Sequence, residues 1–302
     1  MSNTAFVFSG QGSQYAGMGS EILKRCPFAL QYFEEAGDIL GMDLLSLCCD
    51  GSEEELRDTT VSQPAILTVS YLRYLGYCQE HQPDPIFYAG HSLGEYSALL
   101  AAGVLAFPDA IRLIGIRAAC MKRCATAHRG TMLAVVCEEG YPQILPILRR
   151  SRTAGRDSAV IGCINSSRQL VLSGSTERIH RLAEELNAAG GTRAVPLQVE
   201  GAFHSPMMAD AAEELREALE RTTFHPLPVQ CGILSNVTGV PYVDTQEVKR
   251  ELILQLTHPV QWLKSVRYMT DHGADTYIEF GAKPTLSQLI RKEVPVRVFP
   301  YH

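Results

Sequence analysis

Residues 86–102 read Ile-Phe-Tyr-Ala-Gly-His-Ser-Leu-Gly-Glu-Tyr-Ser-Ala-Leu-Leu-Ala-Ala. The first four form a short apolar and aromatic run, the pattern of a buried strand. Residues 93–102 are dominated by strong helix formers. Between the two lies Gly90-His91-Ser92-Leu93-Gly94, a Gly-x-Ser-x-Gly pentapeptide. By chance alone the pentapeptide would occur in roughly one chain in ten of this length. Its position is more informative, because a nucleophile elbow needs a strand before it and a helix after it. The glycines allow a sharp turn and close backbone approach. Ser92 would then sit at a helix N-terminus, where free N–H groups and the helix dipole favour negative charge. The Leu93 N–H would point at an oxyanion. The plain alternative is an N-cap serine between two glycines, with no chemistry.

Outward from this stretch the chain alternates strands and helices. A strand over 4–8 leads into the loop Gly10-Gln11-Gly12-Ser13-Gln14, and helical patterns follow around 17–24, 28–40 and 63–80. Pro108-Asp109 starts another helix, reaching about Arg123. From Gly130 the rhythm changes: strand 131–136, helix 138–150, strands 158–164 and 169–173, helix 175–189, strand 192–197. That order is the ferredoxin-like unit. Beyond it come a helix from Ser205, a strand near 229–234, helices across 246–272, strand 275–279, helix 284–292 and strand 296–299. Such alternation predicts a mostly parallel sheet covered by helices. The expected organisation is one large α/β unit, residues 1–128 and 198–302, with a small subdomain, 129–197, inserted in it.

The composition is that of a globular protein: 302 residues, 46% hydrophobic and 20% charged. A formal net charge of -6 gives no basic excess for nucleic acid. The cluster Arg149-Arg150-Ser151-Arg152 with Arg156 reads as a solvated helix end. None of the nine cysteines forms a Cys-x-x-Cys pair, which points to reduced thiols in a reducing compartment rather than zinc or disulfides. The N-terminal residues lack the basic and apolar regions of a signal peptide. No run of about 18 apolar residues exists to span a membrane. The expectation is a soluble, cytoplasmic protein.

A serine nucleophile needs a base. Of nine histidines, His204 stands out, in Gly201-Ala202-Phe203-His204-Ser205-Pro206. Ser205 suits an N-cap and Pro206 a first helical position, so His204 ends a strand-to-helix loop, where α/β sites gather. The nearby helix N-terminus is expected to keep the imidazole neutral. No acid announces itself as a third member: Asp109 and Asp157 lie between Ser92 and His204 without a telling context. A dyad oriented by a carbonyl and a triad both remain open. Arg117 has Leu113, Ile114, Cys120 and Met121 at helical spacing and so faces inward. An unpartnered buried guanidinium is costly. Either a protein carboxylate or a ligand carboxylate pairs with it.

Together these residues resemble the malonyl-CoA:acyl-carrier-protein transacylase family. The resemblance runs along the chain: FSGQGSQYAGMG at the start, SQPAI at 62–66, GHSLGEYSAL at 90–99, Arg117, INSSRQLVLSG at 164–174, GAFHSPMM at 201–208, SNVTG at 235–239 and QLTHPVQW at 255–262. It implies an α/β-hydrolase-like large domain with a ferredoxin-like insert. It implies that Ser92 takes the acyl group, with His204 as base and then acid. The backbone carbonyl of Gln255 would orient His204. The N–H groups of Gln11 and Leu93 would form the oxyanion hole. Arg117 would hold the malonyl carboxylate, with Gln63, Asn165 and His91 around the acyl group. Phe203 beside the histidine goes with malonyl in this family.

The family further implies malonyl-CoA as substrate, an acyl-carrier protein as partner, a monomer, and no metal or redox cofactor. A discrete enzyme of fatty-acid synthesis or a trans-acting polyketide synthase acyltransferase both fit. Two places depart from the family pattern. Ser9 stands where proline is usual, and Gly281-Ala282-Lys283-Pro284 replaces a Gly-Pro-Gly turn. Neither is expected to touch the chemistry. The competing readings are a serine hydrolase that clears acyl groups from carrier proteins, and a non-catalytic docking module. A buried arginine in the acyl pocket argues against the first, and retention of Ser92, His204 and Arg117 together against the second.

Overall fold

A computed structural model describes residues 3–150 and 159–301 of the protein. Ser151, Arg152, Arg156, Asp157 and the first residue of the strand expected at 158 lie outside the described residues. In chain order the elements begin with β1 (Thr4–Phe8), α1 (Met18–Arg25), α2 (Ala29–Leu40), α3 (Leu44–Asp50), α4 (Thr59–His81) and β2 (Phe87–Gly90). Then come α5 (Gly94–Ala101), α6 (Phe107–Ala127), β3 (Gly130–Cys137), α7 (Leu145–Arg150), β4 (Val160–Ser166), β5 (Gln169–Ser175), α8 (Thr176–Ala188) and β6 (Thr192–Pro196). The chain ends with α9 (Ala209–Arg221), β7 (Gly232–Ile233), α10 (Thr245–Gln255), α11 (Trp262–Asp271), β8 (Thr276–Phe280), α12 (Leu286–Glu293) and β9 (Arg297–Tyr301).

Two sheets organise these elements. The first is parallel, in the order β7-β2-β1-β8-β9, with β1 at its centre. Ala5 to Phe8 on β1 are all fully buried, as a strand covered on both faces requires. The second is antiparallel, in the order β4-β5-β3-β6, which is the ferredoxin-like arrangement. Its strands show the period of two. Leu133, Val135 and Cys137 enter a small core shared with Ile179, Leu182 and Leu186 of α8. Met132, by contrast, packs into the large core. The fold is thus α/β, with a parallel sheet and a small antiparallel one.

The two parts are joined by hydrogen bonds as well as by chain. Val260 N–H donates to Gly162 O at 2.9 Å, and Ile164 N–H donates to Val260 O at 2.8 Å. The segment after α10 is thereby fixed to the edge strand β4. Ser173 Oγ donates to Phe203 O at 2.6 Å, tying β5 to the His204 loop.

Several elements differ from expectation for local reasons. The helix expected over 138–150 is a 3-10 turn, Tyr141–Ile144, followed by α7. Pro142 and Pro146 interrupt the hydrogen-bond ladder there. α3 was not expected, and its signal is short: Asp43 caps it by accepting from Ser46 N–H. α4 starts at Thr59 rather than 63, because Asp58 caps it and Pro64 is carried inside the helix. The strand expected near 229–234 shrinks to two residues at the sheet edge.

Candidate active site

β2 delivers its C-terminal end beside that of β1, with Phe8 opposite Gly90. The chain then turns sharply into α5. A Cβ on Gly90 would lie 1.9 Å from the Gly94 carbonyl oxygen, and one on Gly94 would lie 2.0 Å from the Phe8 oxygen. Only glycine fits either position. Ser92, at the apex, has φ 54°, the left-handed region that non-glycine residues rarely adopt. Its backbone is held on both sides. Ser92 N–H donates to Asn236 Oδ1 at 2.6 Å, and Ser92 O accepts from Gln255 Nε2 at 2.9 Å. Asn236 Nδ2 in turn donates to Gly90 O at 2.6 Å.

His204 also lies in the left-handed region, at φ 58°. Its Nε2 is 2.8 Å from Ser92 Oγ, and its Nδ1 is 2.7 Å from the Gln255 carbonyl oxygen. A carbonyl only accepts, so Nδ1 carries the proton and Nε2 is left to accept from the serine hydroxyl. This settles the open choice between dyad and triad geometry in favour of a carbonyl partner. Asp109 pairs with Arg112 instead, at 2.9 Å. The imidazole is driven neutral, its pKa pushed down to about 3. Burial is the main cause, and the positive charge of Arg117 adds to it, against the Gln255 carbonyl. The expected cause, a helix N-terminus, is displaced: a 3-10 turn, Pro206–Met208, stands between Ser205 and α9. Ser205 does cap that turn, accepting from Met207 N–H.

Arg117, on α6, is 1% exposed. Nη1 donates to Gln63 Oε1 at 2.6 Å, and Nη2 donates to Gln255 Oε1 at 2.9 Å and Ser92 Oγ at 3.1 Å. Nε has no hydrogen-bond partner. The partners are neutral oxygens, so no described protein carboxylate neutralises this cation by direct contact. Burial pulls the guanidinium's pKa down, but the group remains cationic. The Tyr96 ring lies 5.5 Å from its centre.

A cavity of about 590 Å³ opens onto Ser92 between the two sheets. Gln11, His91, Ser92, Met121, Phe203 and His204 line it from the large part. Met132, Ala134, Cys163, Asn165 and Val171 line it from the small one. Asn165 Oδ1 is 2.8 Å from His91 Nε2. The Gly10–Gly12 loop rests against the elbow, since a Cβ on Gly10 would meet His91 O at 2.4 Å. Leu93 is buried as the first residue of the turn into α5. Gln63 and Arg117 form a layer beneath the cavity, under Ser92, rather than its visible wall. The ten residues expected at the site therefore converge on one place.

The two sequence departures meet as well. Ser9 Oγ donates to Glu279 Oε1 at 2.5 Å and accepts from Thr285 Oγ1 at 3.2 Å. Glu279 also accepts the N–H groups of Thr285, Leu286 and Ser287, which open α12. Pro284, Leu286, Gln288 and Lys292 line the cavity. These departures touch none of Ser92, His204 and Arg117; they tie the loop before Gln11 to one wall of the cavity's entrance.

Sequence reasoning passed over Glu95, Asn236 and the side chain of Gln255. Glu95 carried a signal. All eight residues of α5 are buried, so an acid in that helix is as conspicuous as Arg117 in α6. Asn236 has no comparable mark. Among the described residues, Cys124, His128 and Asp210 bring metal-type donor atoms within 4.8 Å of one another. They lie where α6 meets α9, outside the cavity, and are already engaged. His128 Nε2 is 3.1 Å from Asp210 Oδ2, and Cys124 Sγ donates to Met207 O at 3.0 Å.

A parallel sheet ending in a strained serine, with a neutral histidine in hydrogen-bond contact, defines a class: the α/β proteins built around a nucleophile elbow. Within it, residues 5–297 match the model of the acyl transferase domain, and the chain belongs to that family. It is 39% identical over 292 residues to a malonyl CoA-acyl carrier protein transacylase of Bacillus subtilis, covering 97% of this chain and 72% of that one. To the malonyl CoA-acyl carrier protein transacylase of Escherichia coli K12 it is 36% identical, over 97% of this chain and 94% of the other. The malonyl CoA-acyl carrier protein transacylase structure from Coxiella burnetii superposes with a TM-score of 0.92 at 30% identity, covering 99% of this chain and 94% of that one. A structure of a type II PKS acyl-carrier protein in complex with its malonyl-transacylase gives 0.91 at 33% identity, covering 99% of this chain and 95% of the matched chain.

Proposed function

We infer that the protein transfers a malonyl group from malonyl-CoA to the phosphopantetheine thiol of an acyl-carrier protein, in fatty-acid or polyketide synthesis, through an ester on Ser92. The observation that carries this reading is Arg117. A guanidinium is buried 3.1 Å from the Ser92 hydroxyl, with Nε lacking an acceptor and its other donors satisfied only by neutral oxygens. A malonyl thioester brings the carboxylate this site lacks, and an acetyl thioester does not. The names of the relatives support the same assignment.

The steps follow from the geometry. The acyl carboxylate docks on the Arg117 guanidinium, a planar fork that lysine cannot copy. His204 Nε2 takes the Ser92 proton as Oγ attacks the thioester carbon. The oxyanion rests on the N–H groups of Leu93 and Gln11. Collapse breaks the C–S bond, and the imidazolium gives its proton to the departing CoA sulfur. The carrier thiol then enters, His204 takes its proton, and its sulfur displaces Ser92 Oγ, which recovers the proton. No step calls for a metal or redox cofactor. His91, Asn165 and Phe203 shape the acyl chamber, with Gln63 beneath it on Arg117, and the two parts, 1–128 with 198–302 and 129–197, close it from opposite sides. All of these groups come from one chain, which supports a working monomer. Arg57 and Lys292 line the cavity and suit anionic carriers.

Intact-mass spectrometry after mixing with malonyl-CoA or acetyl-CoA tests the reading. Wild type should gain a malonyl adduct that Ser92→Ala abolishes. Arg117→Ala should slow malonyl loading by about 100-fold or more, the scale of a lost buried charge-assisted pair, while acetyl loading changes far less. Equal malonyl loading by Arg117→Ala and wild type would overturn it.

A further inference from the structure

Glu95 lies behind the nucleophile and touches neither Ser92 Oγ nor the cavity. It is 1% exposed, yet its partners are all neutral donors. Oε1 accepts from Asn236 N–H at 2.8 Å and from the Tyr242 hydroxyl, and Oε2 accepts from Gln255 Nε2. Burial pushes its carboxyl up to about 7 despite these three donors.

The Gln255 amide has two ways round. Ionised, as it is above about pH 7, Glu95 can only accept, so it draws the NH2 end of that amide towards itself. The same NH2 donates to Ser92 O at 2.9 Å, and the amide oxygen is left facing Arg117 Nη2, also at 2.9 Å. The reversed amide would set N–H against guanidinium and oxygen against carboxylate, losing these bonds in a buried site. A glutamine in place of Glu95 would fill the same space at a lower desolvation cost. It could donate as well as accept, however, and would leave only Arg117 and the Ser92 carbonyl to fix the orientation of Gln255. An ionised acid does what an amide cannot.

We propose that Glu95 is a positioning residue that sets acyl specificity: by fixing the Gln255 amide it holds the Arg117 guanidinium ready for the carboxylate of the acyl group. This rests on the reading of Arg117 given above. Glu95 acts two side chains away from substrate, along the line Glu95–Gln255–Arg117. The same amide also donates to the Ser92 carbonyl, but Asn236 holds the elbow from its other side, so the acyl selector is the part that depends on Glu95.

The test compares Glu95→Gln with wild type on malonyl-CoA and acetyl-CoA, reading KM and kcat of loading separately. Ser92 labelling by a fluorophosphonate, which needs no acyl carboxylate, reports the intact serine–histidine pair. The ratio of malonyl to acetyl kcat/KM should fall about tenfold, mainly through the malonyl KM, with labelling within about twofold. Glu95→Asp, which keeps the charge but draws it back from Gln255 Nε2, should lower the ratio in the same direction and serves if Glu95→Gln does not fold. In an Arg117→Ala background neither change should lower the ratio further. An unchanged ratio, an equal loss for both acyl groups, or additivity with Arg117→Ala would each reject the role. Wild type is the separate control: if it takes no malonyl, the reading of function fails first, whatever the variants do.

Discussion

His204 shows how far a single residue's surroundings can set its chemistry. Burial and the neighbouring Arg117 cation hold it neutral down to about pH 3. It should therefore accept the serine proton across the whole range in which a free histidine would be lost. We expect the fluorophosphonate labelling rate of Ser92 to stay flat from pH 8 to pH 5, and an inflection near the ordinary histidine value of about 6.5 would contradict this. The sign for stability runs the same way. A histidine buried neutral gains its proton on unfolding, so its contribution is present above pH 6.5 and is lost as pH falls towards 3. Ser92, His204 and Arg117 were legible because each carries a local mark: flanking glycines, a Ser-Pro cap, apolar neighbours at helical spacing. Asn236 was not, because its partners on the elbow stand 144 and 146 residues away in sequence. No periodicity encodes a hydrogen bond over that distance.

Among elements, the strand–turn–helix of β2 and α5 is the most constrained. Its glycines are fixed by contact with backbone, which cannot move aside as a side chain can. Gly90→Ala should cost more than about 4 kcal/mol and leave little folded protein, read by thermal melting or soluble yield. A melting curve like that of wild type would mean the elbow is looser than described. The contact between Ser9 and α12 is the second testable element. Ser9→Ala removes a buried donor to Glu279 and should lower stability by about 1–3 kcal/mol, while Ser92 labelling of the folded fraction survives. No change in melting temperature would show that Ser9 is a tolerated substitution and not a tie. Elements with long, regular patterns, such as α2, α4 and α6, were readable from sequence. The irregular ones were not: prolines broke the expected helix before α7, and α3 is too short for a period to show.

At the scale of the molecule, the site exists because two sheets meet. The parallel sheet brings Ser92 to its C-terminal end, where α/β folds place ligands. The antiparallel sheet turns one face into its own small core and the other, through Met132, Ala134 and Val171, over the serine. The alternation of strands and helices made this two-part plan visible in sequence. How closely the parts are stitched was not, because the hydrogen bonds at Val260 and Phe203 join segments far apart in the chain. Enclosure of this kind bears on what receives the acyl group. An acyl-serine shielded from water survives until a thiol arrives, and one left open is hydrolysed. The decisive measurement follows the fate of malonyl-Ser92, isolated free of CoA and divided between buffer and a carrier protein bearing phosphopantetheine, by intact mass over time. Transfer predicts that the adduct persists in buffer and moves quantitatively to the carrier. Loss to water at the same rate in both, with no malonyl on the carrier, would contradict it.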